Sequence, residues 1–204
     1  MWPESSETQE LLQQARQGQA GAVDQLLARH REPVRHMIAL RLDRALAQRV
    51  DASDIVQEVL LEASRRLGEY LRDSAMPFHL WLRYLARDHI IDAHRRHRKA
   101  QRRSVDREQS LRPAWADQSS FELAKELIDR ELTPATAAIR QELEGRFREV
   151  LDQLDEDDRE IVLMRHFEQL SNQEVAAALG VSEAAAGMRH LRALRRLRQL
   201  LTKS

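Results

Sequence analysis

The chain has 204 residues, with 33 Lys and Arg against 33 Asp and Glu, only 4% aromatic residues and no cysteine. Lack of cysteine excludes a disulfide or a thiol switch and leaves zinc only His and carboxylate ligands; no run reaches the roughly 18 to 20 apolar residues of a membrane span, and the acidic start lacks the parts of a signal peptide, so a cytoplasmic location is expected. The zero net charge is segregated, with basic runs near 95–107 and 189–198, and scarce Gly and Pro beside abundant Ala, Leu, Arg, Glu and Gln make an all-α composition.

Residues 1–19 hold a frayed start and a short helix through Leu11, Leu12 and Ala15, which Gly18 to Gly21 breaks. A longer stripe of Val23, Leu26, Leu27, Val34, Ile38 and Leu42 follows, and Pro33 predicts either a kink or two helices meeting. Asp51 is a plausible N-cap for DASDIVQEVLLEASRRLGEYL, which turns Ile55, Val59, Leu60, Ala63 and Leu67 inward and Asp54, Gln57, Glu58 and Glu62 outward. Taken alone, that acidic ridge reads as an ordinary solvated helix face.

After the irregular LRDSAMP, Pro77 suits the first turn of FHLWLRYLARDHIIDAHRRHRK. Phe78, Trp81, Leu82, Leu85, Ile90 and Ala93 mark its apolar side, while Arg83, Arg87, His89, Arg95, Arg96, Arg98 and Lys99 load the rest. Spacing of three makes Phe78 and Trp81 core residues rather than base-stacking ones; Tyr84 stays open between the two. His94 and His97 have metal-pair spacing, but the flanking arginines repel a cation and no third ligand accompanies them, so they read as part of a basic, DNA-facing helix end. With no glycine-rich phosphate loop or nucleophile elbow, neither catalysis nor a cofactor is expected.

Residues 101–144 read as an interdomain linker: between Ser104 and Glu144 nine acids face five bases, and apolar spacing is sparse. Phe121 to Leu132 predicts a helix, and Pro134 can begin another running toward Val150.

The last module, 145–204, opens with Phe147, Val150, Leu151 and Leu154, then the acidic Asp155 to Asp158, then Ile161, Val162, Met164 and Phe167 on one helix. Ser171 and Glu174 form a capping-box pair ahead of Val175, Ala176 and Leu179; Gly180 ends that helix and Ser182 caps the next. The final helix is expected to pack Ala185, Met188, Leu191, Leu194, Leu197 and Leu201 inward and to show Arg189, Arg192, Arg195, Arg196 and Arg198. From Gly187 onward six Lys or Arg occur and no acid, so the pair reads as a DNA-binding helix-turn-helix, although any single Arg taken alone reads better as part of a solvated basic face.

LDQLDEDDREIVLMRHFEQLSNQEVAAALGVSEAAAGMRHLRALRRLRQLL resembles region 4 of bacterial sigma-70 family sigma factors. DASDIVQEVLLEASRRL followed by FHLWLRYLARDHIIDAHRRHRK resembles their region 2, and the two regions alone in this length resemble the extracytoplasmic-function (ECF) subfamily. The resemblance implies an all-α fold of two small helical domains, region 2 at 20–100 and region 4 at 145–204, joined by a partly helical linker. It implies a non-enzymatic subunit that binds core RNA polymerase through its beta-prime and beta subunits, recognises promoter DNA and helps open it, with an anti-sigma factor as a common partner in the family.

By the same resemblance Asp54, Gln57, Glu58 and Glu62 dock on the polymerase, which reverses the solvated-face reading. Arg72, Asp73, Ser74 and Met76 form the loop that captures a flipped base of the minus-ten element, where Asp73 and Ser74 offer hydrogen-bonding groups. Arg83, Arg87, His89, Asp92, Arg95 and Arg96 match the face expected on promoter DNA. Ser182, Glu183, Ala185, Gly187, Met188, Arg189 and Arg192 lie nearest the minus-thirty-five element. Here Ala184 to Gly187 stand where Gly-Thr-Val-Lys or similar is common; alanines touch thymine methyls but cannot hydrogen-bond a base edge, so weak or shape-driven readout is expected. The linker would run near the polymerase cleft, consistent with its acidity. The alternative is a regulator with a LuxR-like helix-turn-helix, and a helical interaction module without a DNA role stands third.

Overall fold

Gly18 and Gly21 take positive φ, 72° and 78°, in the computed structural model, which describes residues 2–3, 5–42, 46, 50–73, 76–101, 123–124, 127 and 137–203. They turn the chain from α1 (Ser5–Arg16) into α2 (Ala22–Ala39). Pro33 does not divide α2. The backbone bond that proline cannot donate is offset by burial of Val34, Met37 and Ile38 in the turn that follows. α3 (Ala52–Arg72) starts where the Asp51 carboxylate accepts the Ser53 N–H at 2.8 Å, and α4 (Phe78–Gln101) starts after Pro77.

The chain divides into two compact units, Met1–Ala114 and Trp115–Ser204. In the first, α2 packs on α3 and α4, α3 packs on α4, and α1 covers α2. Leu26, Met37 and Ile38 meet Ile55, Val56 and Val59 in the core with Leu82, Leu85 and Ala86. Tyr70 and Phe78 lie 5.4 Å apart between ring centroids, and Trp81 lies 4.8 Å from Tyr70 and 5.5 Å from Phe78, which makes the last two packing residues. His30 is buried, 5.0 Å edge-on from Phe78, and its Nδ1–H donates to the Leu26 carbonyl at 2.9 Å.

In the second unit α5 (Ala137–Leu151) and α6 (Glu156–Val162) are followed by a single wide turn, Leu163–Phe167, then α7 (Asn172–Leu179) and α8 (Glu183–Lys203). Asp155 caps α6 by accepting the Asp158 N–H at 2.8 Å. In the wide turn the Glu168 N–H reaches back five residues to the Leu163 carbonyl at 3.0 Å. That extra residue lets Leu163, Met164 and Phe167 all be buried. The capping box is present: Ser171 Oγ accepts the Glu174 N–H at 3.2 Å, and Glu174 Oε2 accepts the Ser171 N–H at 2.7 Å. Gly180 ends α7 with φ 66° and ψ 35°. Arg146 donates to the Leu201 carbonyl at 2.6 Å, placing a cation at the carbonyl end of α8.

The inward side of α8 differs from the expected one. Ala186, Ala193, Leu197 and Leu201 are buried, whereas Ala185, Met188 and Leu191 are exposed. Two alanines allow α8 to approach its neighbours closely, and a stripe drawn through its large residues misses them. Leu60 and Leu179 are half-buried, while Val56 and Tyr70 join the α3 core. The expected helix at 121–132 lies largely outside the described residues, of which Leu123, Ala124 and Leu127 are helical. No strand occurs among the described residues.

Candidate functional site

The solvent side of α3 carries Asp54, Gln57 and Glu58, all exposed, with Glu62 half-exposed one turn on. Leu61, at 53% exposure, lies among them and was missed by sequence reasoning, which looked there for polar groups only. Its signal is in the spacing: Leu61 stands three and four residues after Glu58 and Gln57, on the side of α3 opposite the buried row of Val56, Val59 and Ala63, an apolar residue that the core does not use.

The ridge also reaches α4. His89 Nε2 lies 2.6 Å from Glu62 Oε2, and its Nδ1 lies 3.3 Å from Glu58 Oε2. Arg96 donates to the same Glu58 Oε2 at 3.2 Å, and Arg66 to Glu62 Oε1 at 2.9 Å. The Arg96 hydrogen bond holds the Glu58 carboxyl below its usual range, with His89 adding to it; Arg66 first, then His89, does the same for Glu62. Residues assigned by resemblance to polymerase and to DNA therefore share one surface network.

Between α3 and α4, the Tyr70 hydroxyl donates to the Met76 carbonyl at 3.0 Å and ties down the far side of the connecting loop. Burial pushes the Tyr70 phenol up from its ordinary value, which keeps it a donor. Arg72 is exposed and donates to the Gly68 carbonyl at 3.2 Å; Asp73 and Met76 are exposed, and Ser74 lies outside the described residues.

Along α4, Arg87, Asp92, Arg95 and Arg96 are exposed, and Arg95 sits 3.6 Å from Asp92. Arg83 departs from the expected DNA face. It is only 3% exposed, because it stands seven residues before the buried Ile90 and so on nearly the same side of the helix. His89 faces α3 instead, through the contacts above.

In the second unit the N-terminal turns of α8 are held in place by two polar contacts. Ser182 Oγ accepts the Ala185 N–H at 3.2 Å, and Asn172 donates its side-chain amide to the Glu183 carbonyl at 2.9 Å. Ser182, Glu183, Ala185, Met188 and Arg192 are exposed, and Gly187 and Arg189 are half-buried. Arg189 pairs with Asp157 at 3.4 Å and Arg192 with Asp158 at 3.7 Å. Burial, then the neighbouring Asp155, raises the Asp158 carboxyl above its ordinary value. A Cβ added at Gly187 would meet only Asn172 Oδ1, at 3.8 Å, which is ordinary contact. Gly187→Lys is therefore expected to stabilise α8 by up to about 1 kcal/mol and to steepen the salt dependence of duplex binding by roughly one released counterion. Thermal melting and a salt titration of binding check it, and unchanged or weaker affinity would count against it.

No group of three or more His, Asp or Glu suited to a metal occurs among the described residues, and none of their helices is long and apolar enough to cross a membrane.

Residues 26–100 match the family described as Sigma-70 region 2, and residues 144–197 match Sigma-70, region 4. The RNA polymerase sigma-H factor of Pseudomonas aeruginosa is 30% identical over 172 residues, covering 84% of this chain and 81% of that protein. The ECF RNA polymerase sigma factor SigD of Mycobacterium tuberculosis is 31% identical over 149 residues, 73% of this chain and 62% of that protein. A solved structure of CnrH in complex with the cytosolic domain of CnrY superposes with a TM-score of 0.60 at 24% identity, over 95% of this chain and 96% of that one, a likeness of fold.

Proposed function

This chain belongs to the sigma-70 family of RNA polymerase sigma factors, in its extracytoplasmic-function subfamily, and from that we propose how its two units divide the work of initiation. It is a sigma factor: it binds core RNA polymerase, recognises promoter elements and promotes initiation, and it is an initiation factor rather than an enzyme in itself. The observation that carries this reading is the succession of a region 2 match and a region 4 match in one chain. A LuxR-like regulator is not favoured, because a sensor would have to occupy residues that match region 2 instead.

In our reading residues 20–100 and 145–204 are the two domains, 101–144 connects them, and the protein works in the cytoplasm with the polymerase. The α3 ridge of Asp54, Gln57, Glu58 and Glu62 docks on core polymerase, with carboxylates and amides pairing with basic groups of the partner. The Arg72–Met76 loop receives an unstacked base, and Arg87, Arg95 and Arg96 follow the phosphates. The start of α8 enters the major groove of the upstream element. An anti-sigma factor is a further partner we propose from the family.

Transcription in vitro tests the function: the chain is added to sigma-free core polymerase on a genomic promoter pool and starts are mapped. Starts sharing two upstream motifs at fixed spacing are expected. No transcripts and no co-elution with core, with DNA binding retained, would return the regulator reading.

Leu61 gives a sharper test of the docking ridge. An exposed leucine ringed by polar groups has the make-up of an interface anchor. Leu61→Asp is expected to weaken core binding at least about tenfold, since it removes an apolar anchor of roughly 1.5 to 3 kcal/mol. Helical content should stay unchanged, because the core does not use this side chain. Titration of fluorescently labelled protein with core checks it; unaltered affinity would remove Leu61 from the interface.

A further inference from the structure

The outward face of α8 is apolar where it begins and cationic where it continues. Met188 is 66% exposed, and Ala184, Ala185 and Leu191 are exposed beside it, at helical spacings of three and four. Arg192 and Arg195 take the next positions on that face, with Arg196 and Arg198 alongside, all exposed. Over the first two turns the one side chain able to make bidentate bonds to guanine or adenine is Arg189, at the edge of this face, half-buried and paired with Asp157 at 3.4 Å. The other polar groups available there are Ser182 and Glu183, and Ser182 Oγ already accepts the Ala185 N–H in capping α8.

Resting on the sigma-factor reading, we infer that Met188 and Leu191 recognise the upstream promoter element through thymine C5-methyl groups, and that Arg192 and Arg195 fix the register on flanking phosphates. A thymine methyl is the one apolar group on the floor of the major groove, so it is the feature such a face can distinguish. Charge fixes the occupant as DNA: the exposed apolar residues are continuous with four arginines, and no acid follows Gly187 in the chain. The thioether of Met188, unbranched and polarizable, follows a methyl into position where a rigid hydrogen-bonding fork would demand fixed geometry. Gly187 and Ala184 keep the neighbouring surface low, so Met188 is the projecting contact.

The test uses the full chain assembled with core polymerase. Upstream elements are first selected from a promoter library randomised over that region, and thymines are expected to be enriched in the selected set. Each enriched thymine is then replaced by deoxyuridine, which removes the methyl and preserves every Watson–Crick bond. Affinity of the holoenzyme should fall about fourfold for each methyl in contact. With Met188→Ala and Leu191→Ala combined, thymine and deoxyuridine templates should bind equally, while the salt slope of binding stays as in the parent. No loss on deoxyuridine substitution overturns the inference. An equal loss in parent and variant also overturns it, since the methyl would then act through duplex shape rather than these side chains. Weakened capture of a protein partner by the variant, with thymine discrimination intact, overturns it in favour of a protein-docking face. Failure of the chain to direct any transcription is a separate result, which removes the sigma reading beneath it.

Discussion

Phe147→Ala is expected to unfold α5 to α8 while leaving α2 to α4 folded. Phe147 is fully buried on α5, its ring 6.2 Å from that of Phe167 in the wide turn, and Val150, Leu151, Ile161 and Met164 complete the same small core. Truncating a buried phenylalanine costs about 3 to 5 kcal/mol, from the lost transfer energy and the cavity left behind. A unit of this size has a total stability of the same order, so one substitution removes most of it. The first unit has its own core around Leu26, Met37, Val59 and Leu82 and contains none of these residues. Hydrogen exchange resolved by helix checks the prediction: amides of α7 and α8 should lose protection, and those of α3 should keep it. Retained protection in α8 would show that its packing is not organised by this ring. In transcription, loss should be confined to promoters that depend on the upstream element.

Acid should weaken the second unit well before its carboxylates titrate. His166 in the wide turn and His190 on α8 bring their Nε2 atoms to 2.9 Å, so one ring donates and the other accepts. Protonating both places two donors against each other beside Arg165. Burial first, then Arg165, brings His166 down from 6.5 to about 4; burial, then His166 and Arg165, brings His190 down to about 4. The unfolded chain therefore binds more protons than the folded one between about 4 and 6.5, and stability rises with pH across that window. The contribution is full above about 6.5 and is lost as the pH falls toward 4. One such group is worth roughly 3 kcal/mol at the acid limit, and the pair less than twice that because its titration is shared. His30, brought down to about 4 by its burial, gives the first unit the same slope. Asp158 works in the opposite sense, since its raised carboxyl favours the folded state as it protonates, so the histidine effect is read most cleanly above the carboxylate range. Urea midpoints from pH 7.5 to 5 check this. His190→Gln should flatten the slope of the second unit, and a midpoint independent of pH in the parent would contradict the account.

Features set by neighbours in sequence were legible from it. Asp51, the Ser171 and Glu174 pair, and Gly180 each act within a few residues, and each has the expected local geometry. Helix identity followed from composition and from rows such as Ile55, Val59, Ala63 and Leu67. Features that depend on what lies across the interface were not legible. Arg83 was counted with the surface cations because charge predicts exposure on average, yet its position relative to Ile90 turns it inward. The orientation of α8 is decided by Ala186 and Ala193, whose small side chains carry little weight in an apolar stripe but permit the closest approach. The Glu58, Glu62, His89 and Arg96 network joins residues 27 to 38 positions apart, beyond any local pattern. The wide turn at Leu163–Phe167 looks like ordinary helix in sequence, because its extra residue is also apolar.

If the α3 ridge meets polymerase and Arg96 meets phosphate as proposed above, the sharing of Glu58 by Arg96 and His89 makes those two binding events thermodynamically conversant. A basic group of the polymerase that claims this carboxylate oxygen competes with Arg96 for it, and a phosphate that claims the same Arg96 nitrogen competes with the carboxylate. Each event breaks the same intramolecular pair, so whichever ligand comes second meets a group already set free. Reciprocity requires that polymerase strengthen nucleic-acid binding by the factor with which nucleic acid strengthens polymerase binding. An exposed pair of this kind limits the effect to less than about 1 kcal/mol, or around fivefold. Such a bias is too weak to act as a lock, but it tilts the unattached protein away from DNA and toward the enzyme that gives DNA binding its purpose.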